Sequence, residues 1–171
     1  MLFQDINKNP LICAIYSQPK NSDYYSEEIW EEIECDIINP TDDDPRNPSL
    51  FCIIGDMNGR VGVESEFVST DTFNDNIVSP TRNASETTRR NCDKVKCRVG
   101  EKIIHLCKSY DLQIANGRFP GDLFGNFTHH NKNKGQSNVD LALISDALMS
   151  HIEYFKILPQ PKLTVITVKL Y

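Results

Sequence analysis

The stretch Leu50-Phe51-Cys52-Ile53-Ile54-Gly55-Asp56-Met57-Asn58-Gly59-Arg60 decides how the chain is read. Five apolar residues run without a polar interruption and stop at glycine. A run this short, rich in Ile and Phe and bounded by turn residues, predicts a buried strand over 50–54 rather than a helix. Asp56 and Asn58 then emerge together at the strand's end, and Gly55 removes a Cβ where the backbone turns or something approaches closely. The pair has two readings. Asp-x-Asn-Gly makes a tight turn by itself, and it also sets a carboxylate beside a carboxamide on a rigid support.

Upstream, 11–16 (LICAIY) predicts a strand ended by Gln18-Pro19-Lys20-Asn21. Ser22 then offers an N-cap, with Asp23, Glu27 and Glu28 in the opening turns. Tyr25, Ile29, Ile33 and Ile37 recur every four residues with Trp30 beside them, so an amphipathic helix runs to Asn39-Pro40. The acidic segment 41–48 reads as a solvated loop.

Downstream, 61–96 is long and poor in apolar periodicity. Arg82, Arg89, Arg90, Lys94, Lys96 and, just beyond, Arg98 suit a phosphate-contacting loop and a plain solvated loop equally. A second amphipathic helix follows Gly100, with Ile103, Ile104, Leu106, Cys107 and Tyr110 as its stripe and His105 at the surface. Further strands are predicted over 111–115, 124–128, 138–144, 151–158 and 163–170, with a turn at Asn116-Gly117 and a polar linker over 129–136. Asp140 is a charge inside an otherwise apolar strand and needs a partner or a purpose. Strands outnumber helices and the helices fall between them, which predicts an α/β (α+β) layered sandwich.

The 171 residues suit one domain over 11–171 behind a polar stub at 1–10. Six scattered cysteines read as free thiols in a reducing compartment, and Cys92 and Cys97 lack the second pair or nearby histidines that zinc requires. An intracellular protein, nuclear or cytoplasmic, is expected, and no apolar run approaches the length of a membrane span. The net charge of −6 hides an asymmetry, with acidic residues crowding the first half and basic residues the second. Such segregation can form a basic face for phosphate or simply reflect an acidic helix and a solvated loop.

Tyr16 at one strand end, Asp56 and Asn58 at the next, and Asp140 inside a late strand line up with "IYSQPKNSDYY", "CIIGDMNGRVG", "IIHLCKSYDLQIANGRFPGDLFGNFTHH" and "SNVDLALIS". In these segments the chain resembles the endonuclease/exonuclease/phosphatase superfamily, especially the endonuclease domain of LINE-type (non-LTR) retrotransposons and their domesticated relatives. The resemblance implies a two-sheet sandwich that cleaves phosphodiesters of DNA, or of RNA, with Mg²⁺. It implies that Asp56 orients or deprotonates the attacking water and that Asn58 hydrogen-bonds the scissile phosphate. Tyr16 would assist on the leaving-group or phosphate side, with Asn21 in the same patch. Asp140 would fix the tautomer of a catalytic histidine. Arg89 and Arg90 are the expected substrate-binding cations.

The family also carries an Asn-bearing strand and a metal-binding Glu ahead of the position of Tyr16, and a Ser-Asp-His before its last strand. Only fifteen residues precede Tyr16, and 159–165 holds neither Asp nor His, so the sandwich is expected to be incomplete and N-terminally truncated. Asp56 is the nearest candidate metal ligand, and His129, His130 and His151 are the candidate histidines. An isolated chain of weak or no activity is expected. The alternative is a non-catalytic remnant of a retrotransposon-derived gene that binds nucleic acid or a partner.

Overall fold

A computed structural model describes residues 10–38, 50–67, 88–132, 135–158 and 165–170. The expectations for the stub at 1–9, the acidic loop 41–48 and Arg82 lie outside the described residues.

The central run forms β2 (Phe51–Asp56), so Asp56 is the last residue of the strand itself. It lies between β1 (Leu11–Tyr16), its parallel neighbour, and β6 (Asp140–Ser145), its antiparallel one. β3 (Leu112–Ile114) pairs antiparallel on the far side of β6, giving a mixed sheet of order β1-β2-β6-β3. Two small antiparallel pairs complete the strands, β4 (His129–Asn131) with β5 (Gly135–Ser137), and β7 (Ile152–Leu158) with β8 (Val165–Leu170). Three helices are described, α1 (Glu28–Ile38), α2 (Arg98–Tyr110) and the short α3 (Asp146–Met149). The fold is a mixed α and β arrangement, as the alternation of elements along the sequence requires.

Side chains alternate across a strand, so the register assigns each sheet residue to a face. On one face Ile15, Phe51, Ile53, Leu141, Leu143, Leu112 and Ile114 meet Trp30 and Ile33 of α1 and Val99, Ile103, Ile104, Leu106 and Cys107 of α2. On the other face Cys52, Ala142 and Ile144 meet Leu148 of α3 and Ile152 and Phe155 of β7. β6 is therefore covered on both faces, which explains its nearly continuous apolar run.

Several boundaries differ from the sequence expectation. Ser22 does not cap α1: its hydroxyl accepts from the Tyr24 N–H within a local turn, and Ser26 Oγ receives the Glu28 N–H where the helix begins. α2 starts before Gly100, which lies buried in its first turn because a Cβ there would come within 1.9 Å of the Arg60 carbonyl oxygen. No strand forms over 124–128; Gly125 has φ +62 and Asp122 Oδ1 accepts the Asn126 N–H in a loop instead. The polar segment read as a linker is the β4–β5 hairpin, and α3 was not anticipated.

A buried ionic node closes the β3 edge. Glu66 receives Arg89 Nε at 3.2 Å and Arg118 Nη2, and it also accepts the Ile114 N–H. Arg118 Nε donates to the Ile114 carbonyl, and its guanidinium lies over the Phe67 ring at 5.3 Å. Both outward main-chain groups of Ile114 are thus taken by the node. Burial alone would raise the Glu66 pKa, yet the two guanidiniums hold it below 4.5. Glu66→Ala is expected to cost about 3–5 kcal/mol in urea unfolding, because it removes the carboxylate that two buried guanidiniums, those of Arg89 and Arg118, share. The Glu66 contribution is present above 4.5 and is lost as pH falls through its lower folded pKa. The destabilisation by Glu66→Ala should therefore shrink in acid.

Candidate functional site

The register brings three of the sequence-selected residues into one row. Tyr16 pairs with Asp56 across β1 and β2, and Asp56 pairs with Asp140 across β2 and β6. Directly paired residues on neighbouring strands share a face at a spacing of about 4.8 Å. The row therefore presents a phenol and two carboxyl groups side by side. Tyr16 is 60% exposed, Asp56 is half-buried and Asp140 only 9% exposed, so the row runs from solvent to interior.

β2 can hold this register because Gly55 sits beside Ile15. A Cβ on Gly55, whose φ is +149, would fall 2.0 Å from the Ile15 carbonyl oxygen. Beyond the strand, Asn58 adopts φ +46, a conformation that Asn tolerates better than most residues. Its N–H donates to Asp56 Oδ1 at 2.9 Å and its Nδ2 to the Ser17 carbonyl at 2.8 Å. The tight turn and the carboxylate–carboxamide pair are thus the same structure: the turn fixes the carboxylate, and the carboxamide ties β2 to the end of β1.

Asp140 is held by its main chain. Thr128 Oγ1 accepts the N–H groups of Val139 and Asp140, at 3.1 and 3.0 Å. The buried Asn116 carboxamide clamps the next residues, donating to the Asp140 carbonyl at 3.0 Å and accepting from the Ala142 N–H at 3.1 Å. Just before the strand, Asn138 N–H donates to Asp93 Oδ2, and Asp93 is gripped by Arg60 through Nε and Nη2 at 2.7 and 2.6 Å. Ser17 Oγ and Asn138 Oδ1 are buried close to these strand ends without a hydrogen-bond partner among the described residues.

Burial pushes the Asp56 carboxyl above its ordinary 3.8, and the nearby Asp140 charge pushes the same way; the Asn58 N–H and the charge of His129 oppose it. His129 is therefore the candidate histidine within electrostatic reach of Asp56. His130 Nδ1 is engaged with Gln136 Nε2, and His151 Nδ1 lies 3.0 Å from the Ala147 carbonyl oxygen.

The remaining expected residues lie apart from the row or are already committed. Asn21 is exposed in the turn that follows β1. Arg89, expected as a substrate cation, is turned inward: it bonds Glu66 and the carbonyls of Gly62 and Glu64. Arg90 is exposed, with its guanidinium 5.8 Å from the centre of the Phe124 ring. Asn116 was read only as part of a turn and Thr128 only as the end of a strand. The signal was present in Asn116, a polar residue two positions after β3, whereas Thr128 stands eleven residues from its nearer partner.

Among the described residues no group of three or more His, Cys, Asp or Glu could hold a metal ion. No helix of the described residues is long and apolar enough to cross a membrane. No protein-family model, curated protein or solved structure matches the chain.

The raised Asp56 pKa carries a stability consequence. A carboxyl whose folded pKa lies above its unfolded value opposes folding increasingly as pH climbs from 3.8 through the folded pKa, and by a constant amount above it. Asp56→Asn keeps the acceptor for the Asn58 N–H and removes the charge. It is expected to stabilise the protein at neutral pH, because it removes a partly desolvated charge that lies beside Asp140 while keeping the hydrogen bond. The gain should vanish below the unfolded pKa, and thermal unfolding of both proteins across pH checks it.

Proposed function

We propose that the chain carries part of a phosphodiester hydrolase site of the endonuclease/exonuclease/phosphatase type, acting on DNA, or on RNA, with Mg²⁺, and turning over slowly in this chain alone. The observation that carries the proposal is the in-register row Tyr16–Asp56–Asp140 with Asn58 fastened beside it. Hydrolysis of a phosphate ester needs a positioned water, neutralisation of developing charge and a donor toward the phosphoryl oxygens.

Each residue suits one of these needs. Asp56 is half-buried and its proton affinity is raised, which favours a general base over an inert surface carboxylate. Asn58 spends one Nδ2 hydrogen on Ser17 and keeps a second for a phosphoryl oxygen. The exposed Tyr16 phenol can donate from the solvent side of the row. Asp140, fixed through Thr128 and Asn116, holds negative charge behind Asp56 and would orient an imidazole, for which His129 is the candidate.

Mg²⁺ commonly takes only one or two protein carboxylates and completes its shell with water and substrate phosphate. Asp56, with Asp140 beside it, fits such an open site, since a cation there would relieve the repulsion between the two carboxylates. When bound, Mg²⁺ supplies neutralisation of phosphoryl charge.

A second reading is a non-catalytic remnant that binds nucleic acid or a partner. It is favoured by the small number of carboxylates around the row and by the inward commitment of Arg89. Nicking of supercoiled plasmid by the purified chain and by Asp56→Asn, each first shown to unfold cooperatively, separates the two. Slow nicking that requires Mg²⁺ and falls at least about tenfold in Asp56→Asn is expected. Folded protein that never nicks, or that nicks equally well without Asp56, would replace the first reading with the second.

A further inference from the structure

The two edges of the four-stranded sheet are built differently. At β3 the strand is three residues long, all buried, and the Glu66–Arg118 node bonds both outward groups of Ile114. At β1 nothing comparable is present among the described residues. The Leu11 N–H donates to the Leu50 carbonyl and the Ser17 N–H to the Asp56 carbonyl. In a parallel ladder alternate residues face the partner strand. Leu11, Cys13 and Ile15 therefore turn their main-chain groups to β2, while Ile12, Ala14 and Tyr16 turn theirs outward.

The side chains match that openness. Ile12 is 58% exposed and Tyr16 60%, and Ala14 is exposed between them. Protein edges are normally protected by charge, proline, a bulge, shortness or a cover. β1 has six residues in unbroken register and carries neither charge nor proline.

We propose that the β1 edge is a dimerisation surface, and that its occupant is β1 of a second copy, antiparallel and related by a two-fold axis through Ala14. This register is the one the strand itself favours. It pairs Ala14 with Ala14 and Ile12 with Tyr16 of the other copy, so all three outward residues exchange both main-chain hydrogen bonds in closely spaced pairs. The residue that meets its own copy on the axis is small, and the flanking pairs are aromatic against β-branched, a favourable cross-strand combination. No charge on the strand meets its own copy, so pairing meets no like-charge repulsion within the strand despite the net charge of −6. An isologous contact of this kind closes on itself and gives dimers rather than fibres. The two sheets become one of eight strands, with Tyr16 of each copy beside Ile12 of the other.

Sedimentation velocity over a micromolar concentration series, at physiological ionic strength where distant surface charges are screened, tests the proposal. The parent chain is expected to shift from 19.5 kDa to twice that mass as concentration rises. Ala14→Pro removes an outward N–H and leaves the ladder to β2 intact, because that ladder uses Cys13 and Ile15. Ile12→Lys places a charge opposite Tyr16 of the other copy. Both variants should remain folded by circular dichroism and lose the dimer, while Tyr24→Lys, at a position 83% exposed and outside β1, should keep it. A parent chain that stays monomeric throughout, or folded Ala14→Pro and Ile12→Lys proteins that still dimerise, would overturn the proposal.

Discussion

A one-residue slip of β2 against either neighbour would turn Asp56 to the opposite face and separate it from both Tyr16 and Asp140. The register of this strand is the constraint on which the rest depends. It is set by burial on both faces, since Ile53 must meet the helices while Cys52 meets Ile144 and Ala142. Gly55 makes it sterically possible, because only a residue without Cβ passes the Ile15 carbonyl at that point. The alignment of the row thus rests on an apolar packing choice made several residues earlier in the strand.

Around this sheet the polar residues hold loops to strand ends. Asp93 ties Arg60, which follows β2, to Asn138, which precedes β6. Thr128 and Asn116 bond main-chain groups at the start of β6. Glu66 ties the segment after β2 to Arg118 after β3. Each is a buried or half-buried polar group whose partner must be met, since an unpaired one costs about 1–3 kcal/mol. Asp140 is thereby held by two side-chain bonds to its own backbone, and among the described residues no side chain bonds its carboxylate.

The elements most legible in the sequence were those that carry a short apolar run. β2 was readable from FCII, which is largely buried; β1 and β7 were readable from LICAIY and IEYFKIL by composition, although β1 buries only Ile15 and β7 only Ile152 and Phe155. The β4–β5 hairpin was not, because HHN and GQS are exposed strands made by pairing rather than by an apolar pattern. The start of α1 was misplaced because Ser22 serves a local turn as well as it would serve a helix. In the site, Asp56, Asn58, Tyr16 and Asp140 were visible as polar residues at or within apolar strands. Arg89 was misjudged because its partner, Glu66, stands 23 residues away, and a solvated arginine and a buried one look alike in sequence. Thr128 and Asn116 escaped notice because they bond the main chain, which carries no residue identity to pair with.

The ionic node and the row stand at opposite ends of one physical scale. Glu66 is buried with two guanidiniums, so its charge is stabilised and its pKa falls. Asp56 is buried beside another carboxyl with only Asn58 and His129 in opposition, so its charge is strained and its pKa rises. Burial alone would act in the same direction on both, and the difference lies in the neighbours. A structural carboxylate is given partners until its proton is lost; a carboxylate suited to exchanging a proton is left short of them. By that measure Glu66 belongs to the architecture of the β3 edge, whereas Asp56 has, alone among the described carboxyl groups with a resolved shift, a raised pKa, which suits the general-base role proposed for it.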